Sequence, residues 1–430
     1  MKPPILITEY ESFISGKRAE GYKTLPEHAF RQLEEFILTN HSKNVDALEL
    51  MSLSAKKSVG KVITAKNYVG VVAMNDGTVI EILPKIYSAV QDDPSGRRTK
   101  RLLLDMLKTL KNSPYKTLQT ANLNIEKMNV LEIFIRAFID EVFFIAKRGL
   151  KCSYETVEEN SAVFRGKMKF AQQIRFNQVH RERSYVEYDV FTVNRPENRL
   201  LKATLEHLYK HSSSSRNRND IKTLLSIFGD VEASIDYKSD FAKYVPDRNM
   251  KDYETALKWS HVFLEGKSFT SFSGSEVALA LLYPMETLFE SYIATLLRKK
   301  LNTSQYSIST QDRHYHLFDE PRKAFLMKPD IVVTRNSDDR SFIMDTKWKI
   351  LSDTKSNYGI SQADMYQMYA YQKKYQTKHI TLIYPMTDKI SSDKDICFQS
   401  EDGFCVHVRF IDLFSISNSM DVLATSLCSS

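Results

Sequence analysis

The segment Lys328–Lys349, KPDIVVTRNSDDRSFIMDTKWK, constrains this chain more than any other. Asp330-Ile331-Val332-Val333-Thr334 is rich in β-branched residues, and Ser341-Phe342-Ile343-Met344 is a second short apolar run. The polar, turn-like Arg335–Arg340 separates them, so the pattern predicts a β-hairpin. A turn centred between Ser337 and Asp338 sets Asp330 opposite Asp345. Directly opposed residues have Cβ atoms roughly 5 Å apart. Asp345 and Lys347 are two positions apart and so point to one face of their strand. Two carboxylates and an ammonium then converge. Carboxylates this close repel unless neutralised, and a hard divalent cation neutralises them through oxygen ligands. A lysine beside them can hold or polarise an attacking water. These are the parts of a metal-dependent phosphodiesterase. An exposed hairpin with charged ends is the plainer reading of the same residues.

Asp/Glu-x-Lys alone carries little information. The chain repeats it at Asp220-Ile221-Lys222, Asp236-Tyr237-Lys238, Glu265-Gly266-Lys267 and Asp353-Thr354-Lys355. None of these follows a strand–turn–strand with Pro-Asp upstream, as Asp345 follows Pro329-Asp330. Pro246-Asp247 precedes Glu265, but the stretch between reads as helix.

The flanks add to the pattern. Tyr283–Lys300 has apolar residues at helical spacing, with Pro284 suited to a first turn and Glu286 and Glu290 four apart. Ser361–Tyr375 is a second helical pattern, with Asp364, Gln367 and Tyr371 on one face. His379–Pro385 then reads as a buried strand. The order helix, hairpin, helix, strand resembles the restriction-endonuclease-like PD-(D/E)xK nuclease core. Gln367-x-x-x-Tyr371 resembles the extra motif of its RecB-like branch, which helps order the site and contact DNA. Out of context, a helix surface beside the core is the plainer account of those two side chains.

Other features bound the function. The 430 residues suffice for two or three domains. No apolar run approaches the length of a membrane span, and MKPPILITEYESF lacks the features of a secretory signal. Cys152, Cys397, Cys405 and Cys428 have no CxxC spacing, which argues against a zinc site or a disulfide framework and fits a reducing cytoplasm. The net charge of +7 permits a polyanionic partner without demanding one. A phosphate-binding loop is incomplete: Gly266-Lys267-Ser268 could end one, but its upstream glycine position is His261. There is no Ser-His-Asp signature and no HExxH. His314 and His316 would share a strand face, an arrangement more often solvated than metal-binding.

Three segments are expected, giving a multidomain α+β chain. Residues 1–90 form a small β-rich module, with a helix at Pro26–Asn40 and strands at Lys61–Thr64, Tyr68–Met74 and Thr78–Leu83. Asn75-Asp76-Gly77 marks a hairpin turn. Gln91–Lys100 is a polar linker. Residues 91–266 are mainly helical, with helices at Arg101–Leu110, Val130–Lys147, Pro196–His211 and Asn249–Leu264. Lys267–Ser275 opens the C-terminal α/β core, residues 267–430.

Two longer strings are more distinctive than the nuclease motifs. Asn67-Tyr68-Val69-Gly70-Val71 precedes Ile80-Glu81-Ile82-Leu83-Pro84-Lys85-Ile86. Arg165-Gly166-Lys167 is followed by Tyr188-Asp189, Thr192-Val193-Asn194 and Pro196-Glu197-Asn198-Arg199-Leu200-Leu201-Lys202. Together with Phe289-Glu290, Pro329-Asp330, Asp345-Thr346-Lys347 and Tyr366-Gln367-x-x-x-Tyr371, they resemble the McrC family, the nuclease subunit of McrBC-type 5-methylcytosine-specific restriction systems.

That resemblance implies a division of labour. A separate McrB-type AAA+ GTPase ring recognises and translocates duplex DNA carrying modified cytosine. The McrC-like chain docks on it through its first two segments, stimulates GTP hydrolysis and cuts, with two nuclease copies making a duplex break. Asp330 and Asp345 would hold Mg²⁺ or Mn²⁺, with Glu290 completing the shell directly or through water. Lys347 would orient the nucleophile or stabilise developing charge, and Gln367 and Tyr371 would order the site. Charged and amide side chains of the first two segments, such as Arg165, Lys167, Asn198 and Arg199, are candidates for contacts with the ring. A RecB-like repair nuclease acting without a GTPase, a non-catalytic interaction subunit and a simple DNA-binding module are the alternatives.

Overall fold

The protein is described by a computed structural model covering residues 4–16, 19–39, 50–57, 59–85, 96–118, 128–246, 248–265, 277–390 and 395–428. Ile86, residues 91–95, Asp247, Gly266 and the expected boundary Lys267–Ser275 lie outside these residues. Two compact units result: Leu131–Lys267 is one, and Lys2–Val130 with Ser268–Ser430 is the other. Eleven α-helices and several sheets, among the described residues, make the chain a mixed α/β protein.

The larger unit begins with β1 (Ile5–Thr8), β2 (Ser12–Ser15), β3 (Lys23–Leu25) and α1 (Glu27–Thr39). β4 (Met51–Lys56), β5 (Gly60–Ala65), β6 (Tyr68–Met74), β7 (Val79–Leu83) and α2 (Arg97–Leu107) follow. β6 and β7 form the hairpin that Asn75-Asp76-Gly77 predicts, with Gly70 opposite Ile82. Asp76 Oδ1 accepts from the Thr78 amide at 2.8 Å, and Gly77 takes φ 82°. β1 to β3 are too short to leave a period in the sequence.

The smaller unit starts on α3 (Val130–Arg148). It continues with β8 (Ser153–Ser161), β9 (Lys167–Met168), α4 (Phe170–Asn177), β10 (Ser184–Thr192), α5 (Pro196–His211), α6 (Ser215–Ile227), α7 (Tyr237–Lys243) and α8 (Glu254–Glu265). Leu200, Leu201, Leu205, Trp259 and Phe263 are buried in its core, and the rings of Trp259 and Phe263 stack at 5.5 Å. Glu132, buried on α3, accepts hydrogen bonds from the Ser213 and Ser214 amides and the Asn217 side chain, fixing the entry to α6. The region is less uniformly helical than expected. β8 and β10 are nine-residue strands in a sheet ordered β8-β10-β9. Much of that sheet faces solvent, so SYETVEENS carries no apolar alternation to betray it. At Asn249–Leu264, a 3-10 turn at Arg248–Tyr253 leads into α8.

β11 (Val277–Pro284) returns to the larger unit and pairs with β6, in a sheet ordered β1-β7-β6-β11. Gly70 makes this possible: at φ 140° a Cβ there would lie 2.0 Å from the Leu281 carbonyl oxygen. α9 (Met285–Lys300) follows at once. Then come β12 (Tyr306–Thr310), β13 (His316–Phe318), β14 (Ala324–Leu326), β15 (Ile331–Arg335), β16 (Arg340–Thr346), α10 (Gln362–Tyr375), β17 (His379–Pro385), β18 (Ile396–Gln399), β19 (Cys405–Ile411) and α11 (Ile416–Cys428). The main sheet runs β12-β15-β16-β17-β19-β18. β15 and β16 are antiparallel, β16, β17 and β19 parallel, and α10 is the crossover that a parallel step requires. Ile343, Ile380, Leu382 and Val408 pack with Met368 and Tyr371 of α10.

The cysteine spacing misleads. Cys397 and Cys405 form a disulfide, with S–S 2.04 Å, because the antiparallel β18–β19 pair brings them to one face. His407 lies on the same face, within 4.8 Å of both sulfurs. Spacing rules for CxxC do not register contacts made across strands.

Candidate functional site

β15 and β16 pair Ile331 with Met344 and Val333 with Phe342, so the next positions out are Asp330 and Asp345. This is the register that the turn position predicts. Asp330 Oδ2 accepts from both the amide and the hydroxyl of Thr346, each at 2.7 Å. Its Oδ1 accepts from Gln311 Nε2 at 3.3 Å. The same Gln311 amide donates to Glu290 Oε1 on α9 at 2.8 Å. One neutral side chain thus ties together carboxylates from a helix and a strand.

Asp345 is only 1% exposed. Lys347 Nζ sits 2.6 Å from its Oδ2, a close charge-assisted contact to a buried oxygen. Lys347 also donates to Gln367 Oε1 at 3.3 Å, and Gln367 Nε2 donates to the buried Tyr371 hydroxyl at 2.7 Å. Asp364 Oδ1 lies 3.9 Å from the ammonium. The Ser361 side chain caps α10 by accepting from the Asp364 amide, which fixes where this face begins.

Burial dominates the electrostatics. It pushes Asp345 up to about 7, with the charge of Asp330 adding to the effect and Lys347 opposing it. Burial and then the charge of Asp330 push Glu290 to about 7 as well. Asp330 is raised by burial against the pull of its Thr346 hydrogen bonds. Burial alone would lower the Lys347 ammonium, but the charge and contact of Asp345 outweigh it and raise it. The cluster therefore resists full ionisation.

The structure brings together Asp330, Asp345, Lys347, Gln367, Tyr371 and Glu290. Two of the other Asp/Glu-x-Lys copies do different work: Asp220 pairs with Arg136, and Asp236 caps α7 through the Ser239 amide. His314 precedes the strand that begins at His316, is exposed, and bonds to Asp312. Gln311 was not legible as a site residue. It follows β12, at φ 53°, and only the pairing of Thr310 with Ile331 carries it to the cluster. Tyr384 is a second such case: its buried hydroxyl makes no hydrogen bond among the described residues and feels the charges of Asp364 and Asp345. Trp348 Nε1, just past Lys347, donates to the buried Glu9 at 2.8 Å, as does the Lys85 amide. The exit of the site strand is thereby pinned to the Pro84-Lys85 element.

Three buried or half-buried carboxylates, an ammonium and a glutamine–tyrosine pair, all at one end of a mixed sheet, define an oxygen-donor centre. A profile of the McrBC 5-methylcytosine restriction system component family matches residues 63–385, and the chain belongs to that family. The fold resembles a chain in the refined half-complex from a tetradecameric assembly of Thermococcus gammatolerans McrB AAA+ hexamers with bound McrC. The TM-score is 0.68 at 19% identity, covering 99% of this chain and 100% of that one. A cryo-EM structure of the T. gammatolerans McrBC complex matches with TM-score 0.48 at 19% identity, over 70% of this chain and 89% of that one. No curated protein matches.

Proposed function

We propose that this chain is the McrC-type nuclease subunit of a modification-dependent restriction system, with a PD-(D/E)xK core. It docks on a McrB-type AAA+ GTPase ring, stimulates its GTP hydrolysis and cuts duplex DNA carrying modified cytosine. The observation that carries the reading is the convergence of Asp330, Asp345 and Glu290 with Lys347. The donors suit a hard cation: all are carboxylate oxygens, and Gln311 holds two of them, on Glu290 and Asp330, side by side. Asp330, Asp345 and Glu290 would hold Mg²⁺ or Mn²⁺, which when bound supplies Lewis-acid polarisation of a phosphate and a more acidic water.

The protein's own groups do the rest. Lys347 stays protonated between Asp345 and Gln367, placing positive charge where negative charge develops on the phosphoryl oxygens. Gln367 and Tyr371 hold that ammonium in one position. Gln311 keeps Glu290 and Asp330 at a fixed separation.

Ring docking fits the exposed apolar side chains that the smaller unit carries between β8 and β10: Phe164, Phe170, Ile174 and Val179 are 57%, 72%, 63% and 87% exposed. Arg165 and Lys167 lie in the same region and are exposed. Asn198 is different. It is fully buried and bonds to the Lys151 and Val193 carbonyls and the Tyr253 hydroxyl, so it serves the fold rather than an interface. Arg199 is engaged with Asp240 at 2.6 Å.

The test is cleavage of methylated and unmethylated duplexes by the chain with its cognate ring, GTP and Mg²⁺. Cleavage confined to methylated DNA, lost in EDTA and lost without GTP, is expected. Metal-independent or GTP-independent cleavage would contradict the reading, and the latter would favour a RecB-like repair nuclease.

A further inference from the structure

A cleft of about 620 Å³ opens beside the carboxylate cluster. Glu290 and Gln311 belong to its wall and also border Asp330, so the cleft leads into the site. Four cationic side chains line it: Lys108, Lys111 and Lys116 from the segment around the end of α2, and Arg298 from α9. Lys108 is paired with Asp105 at 2.9 Å. Lys111, Lys116 and Arg298 are exposed, and none makes an ion pair among the described residues. Lys111 donates to Thr310 Oγ1 at 2.7 Å, which fixes it over the strand end that carries Gln311. Its charge reaches Glu290 and opposes the effect of burial there.

A DNA strand approaching three carboxylates meets repulsion along its length. A bound cation relieves it at the scissile phosphate alone. The neighbouring phosphates need their own positive partners, and cations left without carboxylates beside the site meet that need. We propose that this cleft binds the backbone phosphates flanking the scissile bond, on the Glu290 side, through Lys111, Lys116 and Arg298. The inference rests on the nuclease reading above. Contacts of this kind position the strand and carry no sequence information, so the cleft is expected to hold methylated and unmethylated DNA alike.

The experiment titrates the full chain with a short duplex in EDTA at several salt concentrations. It compares wild type, Lys111→Gln/Arg298→Gln, and a charge-matched control, Lys222→Gln/Lys238→Gln, in the other unit. All four positions are exposed, so folding should be retained, and melting curves check it. Each lost phosphate contact removes about 0.9 from the slope of log affinity against log salt, so the cleft variant should be shallower by about 2. The control should keep the wild-type slope. A cleft variant within about 0.5 of wild type, an equal loss in the control, or wild-type binding insensitive to salt would each overturn the proposal. Cleavage by the wild type with ring, GTP and Mg²⁺ is scored separately. A slope change in a protein that never cuts would defeat the nuclease reading and leave the cleft as a phosphate site.

Discussion

Replacing Asp345 by asparagine should stabilise the metal-free protein, increasingly so as pH rises. Asp345 is 1% exposed, and burial, aided by Asp330, raises its carboxyl from 3.8 to about 7. A carboxyl raised on folding contributes its full stability below the unfolded value and loses it as pH climbs to the folded value. The wild type should therefore lose stability between pH 4 and 7. Asparagine approximates the protonated form and cannot ionise, so it escapes this loss. From pH 5 to about 7 the advantage of the variant grows through two pH units at 1.36 kcal/mol each, a ceiling of roughly 3 kcal/mol. Allowing for coupling with Asp330 and Lys347, about 1–3 kcal/mol is expected between pH 5 and 8. The assay is thermal or urea unfolding in EDTA at both pH values, following the larger unit. Adding Mg²⁺ at pH 8 should then stabilise the wild type more than the variant. An advantage that is constant, or that shrinks toward pH 8, would refute the claim that burial and repulsion strain this carboxylate.

Other perturbations test neighbouring parts. Gln367→Ala removes the acceptor that holds Lys347 and should cost roughly 10–100-fold in cleavage, with DNA affinity unchanged, as judged by single-turnover rates and titration. Glu290→Gln should raise the Mg²⁺ concentration needed for half-maximal cleavage, and an unchanged requirement would remove Glu290 from the shell. Asn198→Ala leaves two carbonyls and the Tyr253 hydroxyl without their partner and should destabilise the smaller unit by about 2–4 kcal/mol in urea unfolding. The purified chain alone should show no GTP turnover, yet should raise that of its cognate ring.

Much of the site was legible because it is local. The hairpin register follows from two β-branched or apolar runs and one turn, and it placed Asp330 against Asp345 as found. Gln367 and Tyr371 follow from helical spacing on α10. Asn75-Asp76-Gly77, Pro196–His211 and His379–Pro385 were likewise read from patterns a few residues long. What escaped depends on pairing between distant segments. β11 is an example: sequence order suggests a boundary near 266, whereas Val277–Pro284 completes a sheet with β6. A fragment ending near 265 would leave that edge of β6 unpaired, so a docking fragment that folds should extend through Pro284. Gln311, Tyr384 and the Glu9–Trp348 bond share this origin. Their chemistry is ordinary, and only the sheet registers bring them to the cluster. The Cys397–Cys405 bond escaped for the same reason. Asn198 shows the reverse case: a polar residue in a distinctive string reads as an interface candidate, and its full burial is invisible in sequence.

The central claim is that Asp330, Asp345, Glu290 and Lys347 form a metal-dependent centre for DNA cleavage. Its most direct test is single-turnover cleavage of a methylated duplex by wild type and Asp345→Asn, each assembled with the cognate ring, GTP and Mg²⁺. GTP turnover is followed in the same tubes. The account predicts at least a roughly 1,000-fold loss of cleavage, comparable to removing a principal charge-stabilising group, with stimulation of GTP hydrolysis retained. Undiminished cleavage by the pure variant would contradict it.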